Sequence, residues 1–288
     1  MTNKAVFATV LTCGLLGLPS QAAQRRPELA DAVLGATLVV QATDYLRYPS
    51  DDGDLGLVGV EGAEHNSGAG GAVTSLWVAI GASTSGVGGT FWRTDLGVLN
   101  RGSGTANITI TVHTSAGAVS ATDQIADWSQ AIYYDILAQL GQTKGSIQVT
   151  SDRQISVTSR TYNDRGAAGT DGQFLDGLQP SQGASAGESF VLMHLVADSG
   201  WRTNLGFQNM GGSQARLSVT YYDSDGYQIG NPVSLSIAPN QVNDSTARFP
   251  SGYVGYAEVQ VTAGSGVQGY ASVIDPITGD GTTIPMKF

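Results

Sequence analysis

The chain has 288 residues, 39 of them glycine, with 13% charged residues and a formal net charge of −10. This acidic balance argues against nucleic acid as a partner, because such binding depends largely on cations that neutralise phosphates. Frequent glycine with few charges favours an all-β chain with many turns over a long helical protein.

The amino terminus has the pattern of an export signal. Lys4 precedes the apolar run AVFATVLTCGLLGLP, and small residues follow before Gln24. This order predicts a Sec-type signal peptide over residues 1–23, and the run is too short for a transmembrane anchor. The single cysteine, Cys13, lies within it, so the processed chain is expected to hold no disulfide. We therefore expect an exported protein, located in the periplasm, at the cell surface or in the medium.

Beyond the signal, acidic glycine-rich stretches alternate with strand-like segments. Residues 24–72 are predicted to be a leader or linker. From residue 73 the apolar side chains alternate with a period of two, as in ANITITVHT, which predicts a first β unit over 73–164. One or two helical turns near Asp135 end at Gly141. A second linker is predicted over 165–187, and the same succession of strands returns over 188–288.

One phrase occurs once in each unit, as WRTDLGVLN at 92–100 and as WRTNLGFQN at 201–209. On a strand, alternate residues share a face, which groups the following large or polar side chains: Trp92, Leu96 and Asn100 in the first copy, and Trp201, Leu205 and Asn209 in the second. We interpret these six as a structural core signature, with the tryptophans packed inside and each asparagine turning the chain before a glycine. The alternative makes Arg93 and Arg202 clamps for a substrate.

The repetition predicts the fold class. Two units of about 90 residues, each with several short strands and glycine-rich turns, are typical of immunoglobulin-like sandwiches. The prediction is an all-β protein of two tandem immunoglobulin-like antiparallel β-sandwiches that arose by internal duplication. A parallel α/β fold is disfavoured because no helices of about 10–15 residues separate the strands.

The same phrases resemble an uncharacterised family of tandem β-sandwich modules in exported proteins of Gram-negative soil and aquatic bacteria. Its units contain a WRT- or FRT-N/D-LGxxN strand, a GTxGQF linker and a YASVID-xx-TGD ending. The linker motif is matched here by Gly169, Thr170, Gly172, Gln173 and Phe174, whereas Asp171 replaces the aromatic residue that is usual in the family. The ending is matched by Tyr270–Asp275 and Thr278–Asp280. The resemblance covers about residues 73–285 and implies export and a β-sandwich. It supplies no catalytic residue.

Few side chains point to chemistry. Asp223 and Asp225 in DSDG form half of a calcium loop, but the same four residues also suit a β-turn capped by Asp223. Apart from calcium at this turn, no cofactor is predicted. GASAG at 183–187 satisfies G-x-S-x-G, yet a strand follows Ser185 where a serine hydrolase needs a helix. We therefore predict no catalytic residues and no enzymatic activity.

Two functional hypotheses follow. The first is a non-catalytic exported cell-surface or extracellular protein with a structural or adhesive role. The alternative is a carbohydrate-binding or accessory module that acts beside a secreted enzyme. Its sugars would stack on a platform of aromatic side chains: Tyr133, Tyr134, Tyr221, Tyr222, Tyr253, Tyr256 and Trp128. Tyr221 and Tyr222 point to opposite faces of a strand, so only one of that pair can be exposed. The partners expected are a protein or glycan at the cell surface, or a second copy of the chain.

Overall fold

The structure is a computed structural model that describes residues 74–86 and 89–288. The predicted signal peptide and the leader at 24–72 lie outside the described residues.

The first sandwich consists of two antiparallel sheets. Its strands are β1 (Thr74–Ala82), β2 (Thr84–Ser85), β3 (Phe91–Asn100), β4 (Ala106–Thr114), β5 (Gly117–Ile125), β6 (Gln130–Tyr133), β7 (Lys144–Ser151), β8 (Ile155–Asp164) and β9 (Thr170–Asp176). One sheet has the order β1-β7-β4-β5 and the other has the order β2-β3-β8-β9, with β6 also paired to β3. A short helix, α1 (Ile136–Gln139), follows β6.

The second sandwich repeats this arrangement. Its strands are β10 (Ser189–Val196), β11 (Arg202–Asn209), β12 (Ala215–Asp223), β13 (Gln228–Ile237), β14 (Val242–Asn243), β15 (Val254–Ala263), β16 (Val267–Ile274) and β17 (Gly281–Pro285). The sheets have the orders β10-β15-β12-β13 and β14-β11-β16-β17. Apart from β2, each strand of the first sandwich has a counterpart with the same neighbours. The predicted all-β antiparallel sandwich fold is confirmed, and its origin by duplication stays a prediction.

The two sandwiches also share an irregularity. The pairing of β1 with β7 shifts register between Val78 and Gly81. The pairing of β10 with β15 shifts at the equivalent place, between Leu192 and Leu195. A β-bulge bends and twists a strand locally, so both sheets are distorted at the same point.

The segment predicted as a linker, residues 165–187, contains a strand of the first sandwich. β9 pairs with β8 along its whole length, from Thr158–Asp176 to Asp164–Thr170. Beyond β9, Leu178 exchanges backbone hydrogen bonds with Trp77 at the free edge of β1. Lys287 makes the same exchange with Val191 at the free edge of β10. Each sandwich therefore covers one edge of its four-stranded sheet with the residues that follow its last strand.

Each sandwich has its own apolar core between its two sheets. Among the side chains that are almost completely buried are Leu96, Ile110 and Ile147 in the first, and Phe190, Phe207 and Leu217 in the second. The apolar positions of β4 and β12 alternate with half-buried or exposed polar ones. This period-two burial is the pattern that the sequence predicts for strands with one face in a core.

The two sandwiches pack against each other. Gln268 Nε2 donates to the carbonyl oxygen of Trp77 at 3.3 Å, and Gln208 Nε2 donates to that of Val78 at 3.4 Å. The two glutamines also hydrogen-bond each other, and both are buried. Tyr270, from β16, is buried with the core residues of the first sandwich. The outer face of the β14-β11-β16-β17 sheet is therefore covered by the first sandwich.

Within the described part of the chain, no helix combines the length and the apolar character needed to cross a membrane.

Candidate functional site: the outer faces of the sheets

The asparagine of the doubled phrase joins the two sheets of each sandwich. Asn100 Nδ2 donates to the carbonyl oxygens of Gly104, Ile125 and Ala126 at 2.8, 3.1 and 3.1 Å. Its Oδ1 accepts from the amide of Gly102 at 2.9 Å.

Asn209 makes the equivalent set of contacts in the second sandwich. Its Nδ2 donates to the carbonyl oxygens of Ser213, Ile237 and Ala238 at 2.7, 3.1 and 3.2 Å, and its Oδ1 accepts from Gly211 N at 2.9 Å. Both asparagines have no exposed surface. Because each one satisfies backbone groups that would otherwise be buried without partners, its role is structural.

The threonine of the phrase joins the sheets at the other end. Thr94 Oγ1 accepts from Ala82 N at 2.8 Å and donates to Ala82 O at 3.1 Å. Thr203 Oγ1 makes the same two bonds with Val196, at 3.1 and 2.6 Å. The sequence places these threonines on the buried face but gives no sign of their partners. Only the occurrence of WRT in both copies could have suggested a shared role.

The other signature residues divide into two groups. Leu96 and Leu205 have no exposed surface. Trp92 is only half-buried, and Trp201, which precedes β11, is 37% exposed. The expectation that both tryptophans pack inside the sandwich is therefore corrected: they lie where the strand enters the sheet, beyond the end of the core.

Arg93 pairs with acids of its own sandwich. Its Nη1 lies 2.8 Å from Asp135 Oδ2, and Asp135 is buried just before α1. The amide of Asp135 donates to Asp95 Oδ1 at 2.9 Å, which fixes this corner in a left-handed conformation with φ 48°. An arginine bound to a buried carboxylate stabilises the fold locally and is poorly placed to clamp a substrate.

The DSDG segment forms a turn. Asp223 Oδ1 accepts from the amides of Asp225 and Tyr227 at 3.0 and 2.8 Å, and Gly226 has φ +85°. Two amide donors therefore occupy a carboxylate oxygen that calcium would need. Among residues 74–86 and 89–288, no group of three or more His, Cys, Asp or Glu side chains could hold a metal ion.

One exposed surface is the outer face of the β10-β15-β12-β13 sheet. We call it the second open face and define it by Met193, Tyr222, Val254, Tyr256 and Glu258. The rings of Tyr222 and Tyr256 stack with centroids 5.0 Å apart and an interplanar angle of 14°. Met193 is 50% exposed and Val254 is 43% exposed.

Glu258 is the one charged residue among the five that define this face. The hydroxyl of Tyr222 lies 3.5 Å from Glu258 Oε2. Partial burial and the nearby Glu258 charge raise the pKa of Tyr222 above its ordinary value. The tyrosine therefore stays protonated at neutral pH, and the face offers apolar rings beside one carboxylate.

A second exposed face lies on the first sandwich, on the outer side of the sheet that contains β3 and β8. We call it the first open face and define it by Leu99, Trp128, Ile132, Thr158 and Phe174. Ile132 pairs with Gly97, and Phe174 pairs with Arg160, so both side chains point away from the core. Trp128, two residues before β6, is 54% exposed, Phe174 is 53% exposed and Ile132 is 43% exposed.

No protein-family model matches the chain, and no curated protein matches it significantly. The resemblance to exported tandem β-sandwich modules therefore stays a prediction that depends on its motifs.

Proposed function

We propose that the protein is a non-catalytic, exported structural or adhesive protein of the cell surface or extracellular space, which binds through the outer faces of its sheets. The observation that carries this proposal is the placement of exposed apolar side chains. Ile132 and Phe174 are exposed on the outer side of the sheet that contains β3 and β8, and Met193 and Val254 are exposed on the outer side of the β10-β15-β12-β13 sheet. Exposed apolar groups that cluster on one face mark association surfaces.

The interior supports the same function. The residues that recur in both sandwiches, such as Asn100 and Thr94, are engaged in joining the sheets. They produce two rigid sandwiches that pack together through Gln208 and Gln268. A unit that has one open face on each of its two sandwiches suits a structural or adhesive role.

Location is tested by expressing the full chain in a Gram-negative host. After cell fractionation, we expect the chain in the envelope or the medium, with an amino terminus near residue 24. Protease added to intact cells should digest the fraction that is displayed. Recovery of an unprocessed chain in the cytoplasm contradicts the proposal.

Adhesion is tested with beads that carry the purified chain. The matched variant is Met193→Ala with Tyr256→Ser, since Ala79 and Ser146 occupy the equivalent places in the first sandwich. We expect the wild-type beads to adhere to cells or to each other and the variant beads to adhere several-fold less. Equal adhesion of wild-type and variant beads would show that the second open face does not mediate adhesion.

The second candidate is glycan binding, which the Tyr222–Tyr256 pair favours. A sugar ring stacks on an exposed aromatic face, and a neighbouring carboxylate such as Glu258 accepts hydroxyl hydrogen bonds. A glycan array with the wild type and with Tyr222→His tests this, because His113 stands at the equivalent position. Loss of a specific sugar signal in the variant supports the candidate, and the absence of any signal from the wild type rejects it.

A further inference from the structure

The packing between the two sandwiches uses mainly one face from each, together with the edge strand β9, where Gln173 Oε1 accepts from Ser272 Oγ at 2.7 Å. The first sandwich contributes the outer face of β1-β7-β4-β5, where Trp77 is only 3% exposed and stacks on His113 with centroids 5.0 Å apart. The second contributes the outer face of β14-β11-β16-β17, with the buried Gln208 and Gln268. The contact is thus between two different surfaces.

The equivalents of these two surfaces are the two open faces. The sheet β10-β15-β12-β13 corresponds to β1-β7-β4-β5, and its outer side is the second open face. The sheet with β6, β3, β8 and β9 corresponds to β14-β11-β16-β17, and its outer side is the first open face. Each sandwich therefore exposes one surface whose equivalent on the other sandwich is used in the internal contact.

The strand registers give the position-by-position correspondence. Lys144 pairs with Ala82 in β1, and Val254 pairs with Val196 in β10, so these two positions are equivalent. Ala131 pairs with Val98, and Asn243 pairs with Phe207. Ile132 and Asp244, each one residue further along, are therefore equivalent too.

An ion pair inside the molecule becomes an apolar pair on the open faces. Lys144 Nζ lies 3.0 Å from Asp244 Oδ1 between the sandwiches. The residues at the equivalent places are Val254 and Ile132, each 43% exposed. Two solvent-exposed apolar side chains thus occupy the positions where the internal contact has two opposite charges.

A second polar contact between the sandwiches also corresponds to larger, less polar residues on the open faces. Ser146 Oγ donates to Asn240 O at 2.7 Å between the sandwiches. The equivalent of Ser146 is Tyr256, and the equivalent of Asn240 is Trp128. Asn240 and Trp128 share the left-handed backbone conformation, with φ 61° and 51°. A small polar contact is therefore replaced by two large aromatic side chains, which lie on opposite open faces.

We propose that a second copy of this chain occupies each open face, and that the first open face of one copy docks on the second open face of the next as the two sandwiches dock within one copy. Ile132 would then meet Val254, and Trp128 would meet Tyr256. This inference rests on the proposed function and names the partner of its faces.

A head-to-tail contact of this kind does not produce a two-fold symmetric dimer. The two docking surfaces differ, so the contact is heterologous, and repeating it adds copies in one direction without closing a symmetric dimer. Within a copy the contact holds two covalently joined sandwiches, whereas between copies it must hold separate molecules. Replacing polar groups by apolar ones increases the apolar surface that association removes from water, and burial of apolar surface stabilises the contact.

The test exchanges the equivalent residues. Ile132→Asp and Val254→Lys each introduce the residue that the other sandwich carries at that place, so either strand should accept the change. Light scattering after size exclusion, over a range of concentrations, measures the assembly of the full chain as the host processes it. Ile277→Lys is the control, since Ile277 is 91% exposed and lies in the turn between β16 and β17.

We expect wild-type mass to rise with concentration beyond that of a dimer, and each single variant to weaken assembly by at least tenfold. Mixing the two variants should restore it, because every contact then pairs either Asp with Lys or Ile with Val. A wild type that stays monomeric at every concentration overturns the inference, as does assembly that neither variant changes. Either result leaves the proposed function standing if the chain still adheres to cells, and a monomer that binds sugars favours the glycan candidate.

Discussion

At the scale of single residues, Asn100 and Asn209 each join the two sheets of one sandwich. Each carries four hydrogen bonds to backbone groups from a fully buried position. An unsatisfied buried polar group costs about 1–3 kcal/mol. These hydrogen bonds explain why the phrase ends in asparagine in both copies.

We predict that Asn209→Ala lowers the free energy of unfolding by roughly 3 kcal/mol, because several buried carbonyl groups and one amide lose their partner. Asn209→Asp should cost more at neutral pH, since a carboxylate would face three carbonyl oxygens. Urea unfolding measures both. Asn107→Ala is the control at an exposed site, with an expected loss under about 1 kcal/mol. Equal losses of unfolding free energy at the two sites would show that the hydrogen bonds of Asn209 do not stabilise the fold.

Buried tyrosines make the free energy of unfolding depend on pH in the alkaline range. Burial raises the pKa of Tyr221 to about 12. Burial, followed by the charge of Asp123 and the hydrogen bond to it, raises the pKa of Tyr133 still further. In the unfolded chain a tyrosine ionises near pH 10. The stabilisation from the neutral form is therefore complete below about pH 10 and is lost as the pH rises towards the folded-state value.

We predict that the free energy of unfolding falls between pH 10 and about 12. Tyr221→Phe should remove about 1 kcal/mol of the fall measured between pH 8 and pH 11, because phenylalanine has no proton to lose. Urea unfolding at the two pH values provides the measurement. Tyr227→Phe, at a site that is 73% exposed, is the matched control. A fall that is identical in the wild type and in Tyr221→Phe contradicts this assignment.

At the scale of elements, the interface between the sandwiches depends on a glycine opposite a tyrosine. Gly206 in β11 pairs with Tyr270 in β16, and any side chain at Gly206 would collide with the Tyr270 ring. Tyr270 is itself buried, so it has no free place to move. Gly97 in β3 is the equivalent glycine, and a side chain there would only approach Thr158 Cγ2 at 3.3 Å.

We predict that Gly206→Ala lowers the free energy of unfolding by about 1–3 kcal/mol, the usual cost of overpacking, and that Gly97→Ala changes it by much less. Thermal or urea unfolding of the two variants provides the comparison. A similar loss in both would mean that the Tyr270 ring does not restrict this position.

The sequence predicts these elements unevenly. Period-two alternation locates β4 and β12, because one face of each lies in a core. It does not reveal β9, since the strand residues Thr170–Asp176 are mostly polar and only Leu175 is buried. The backbone pairing with β8 defines this edge strand, and pairing of that kind leaves no mark on the hydrophobic pattern.

At the scale of the whole molecule, the sequence predicts two sandwiches but not their contact. The doubled phrase shows which residues both sandwiches need for their own cores, and Leu96 and Leu205 follow that rule. The partners of Trp77, Gln208 and Gln268 depend on how the sandwiches are oriented, which no local pattern encodes. The exposure of Trp201 has the same cause, because a strand pattern gives the face of a residue and not where the core ends.

The two open faces follow from this asymmetric contact. A chain that joins two unlike surfaces internally leaves one surface of each kind uncovered. In this protein the uncovered ones carry Ile132 and Trp128 on one side and Val254 and Tyr256 on the other, in place of the charged and polar groups used inside. The proposed adhesion and the proposed self-association through these faces would both make use of this difference.

The most direct test of this account is disulfide trapping with the double variant Ile132→Cys/Val254→Cys. The only native cysteine is Cys13, within the predicted signal peptide, so new disulfides report the introduced pair. After mild oxidation, a denaturing gel without reductant should show a ladder of oligomers for the double variant and mainly monomer for either single variant. Oligomers that are absent from the double variant, or dimers that form equally well from one single variant, would contradict head-to-tail docking of the two faces.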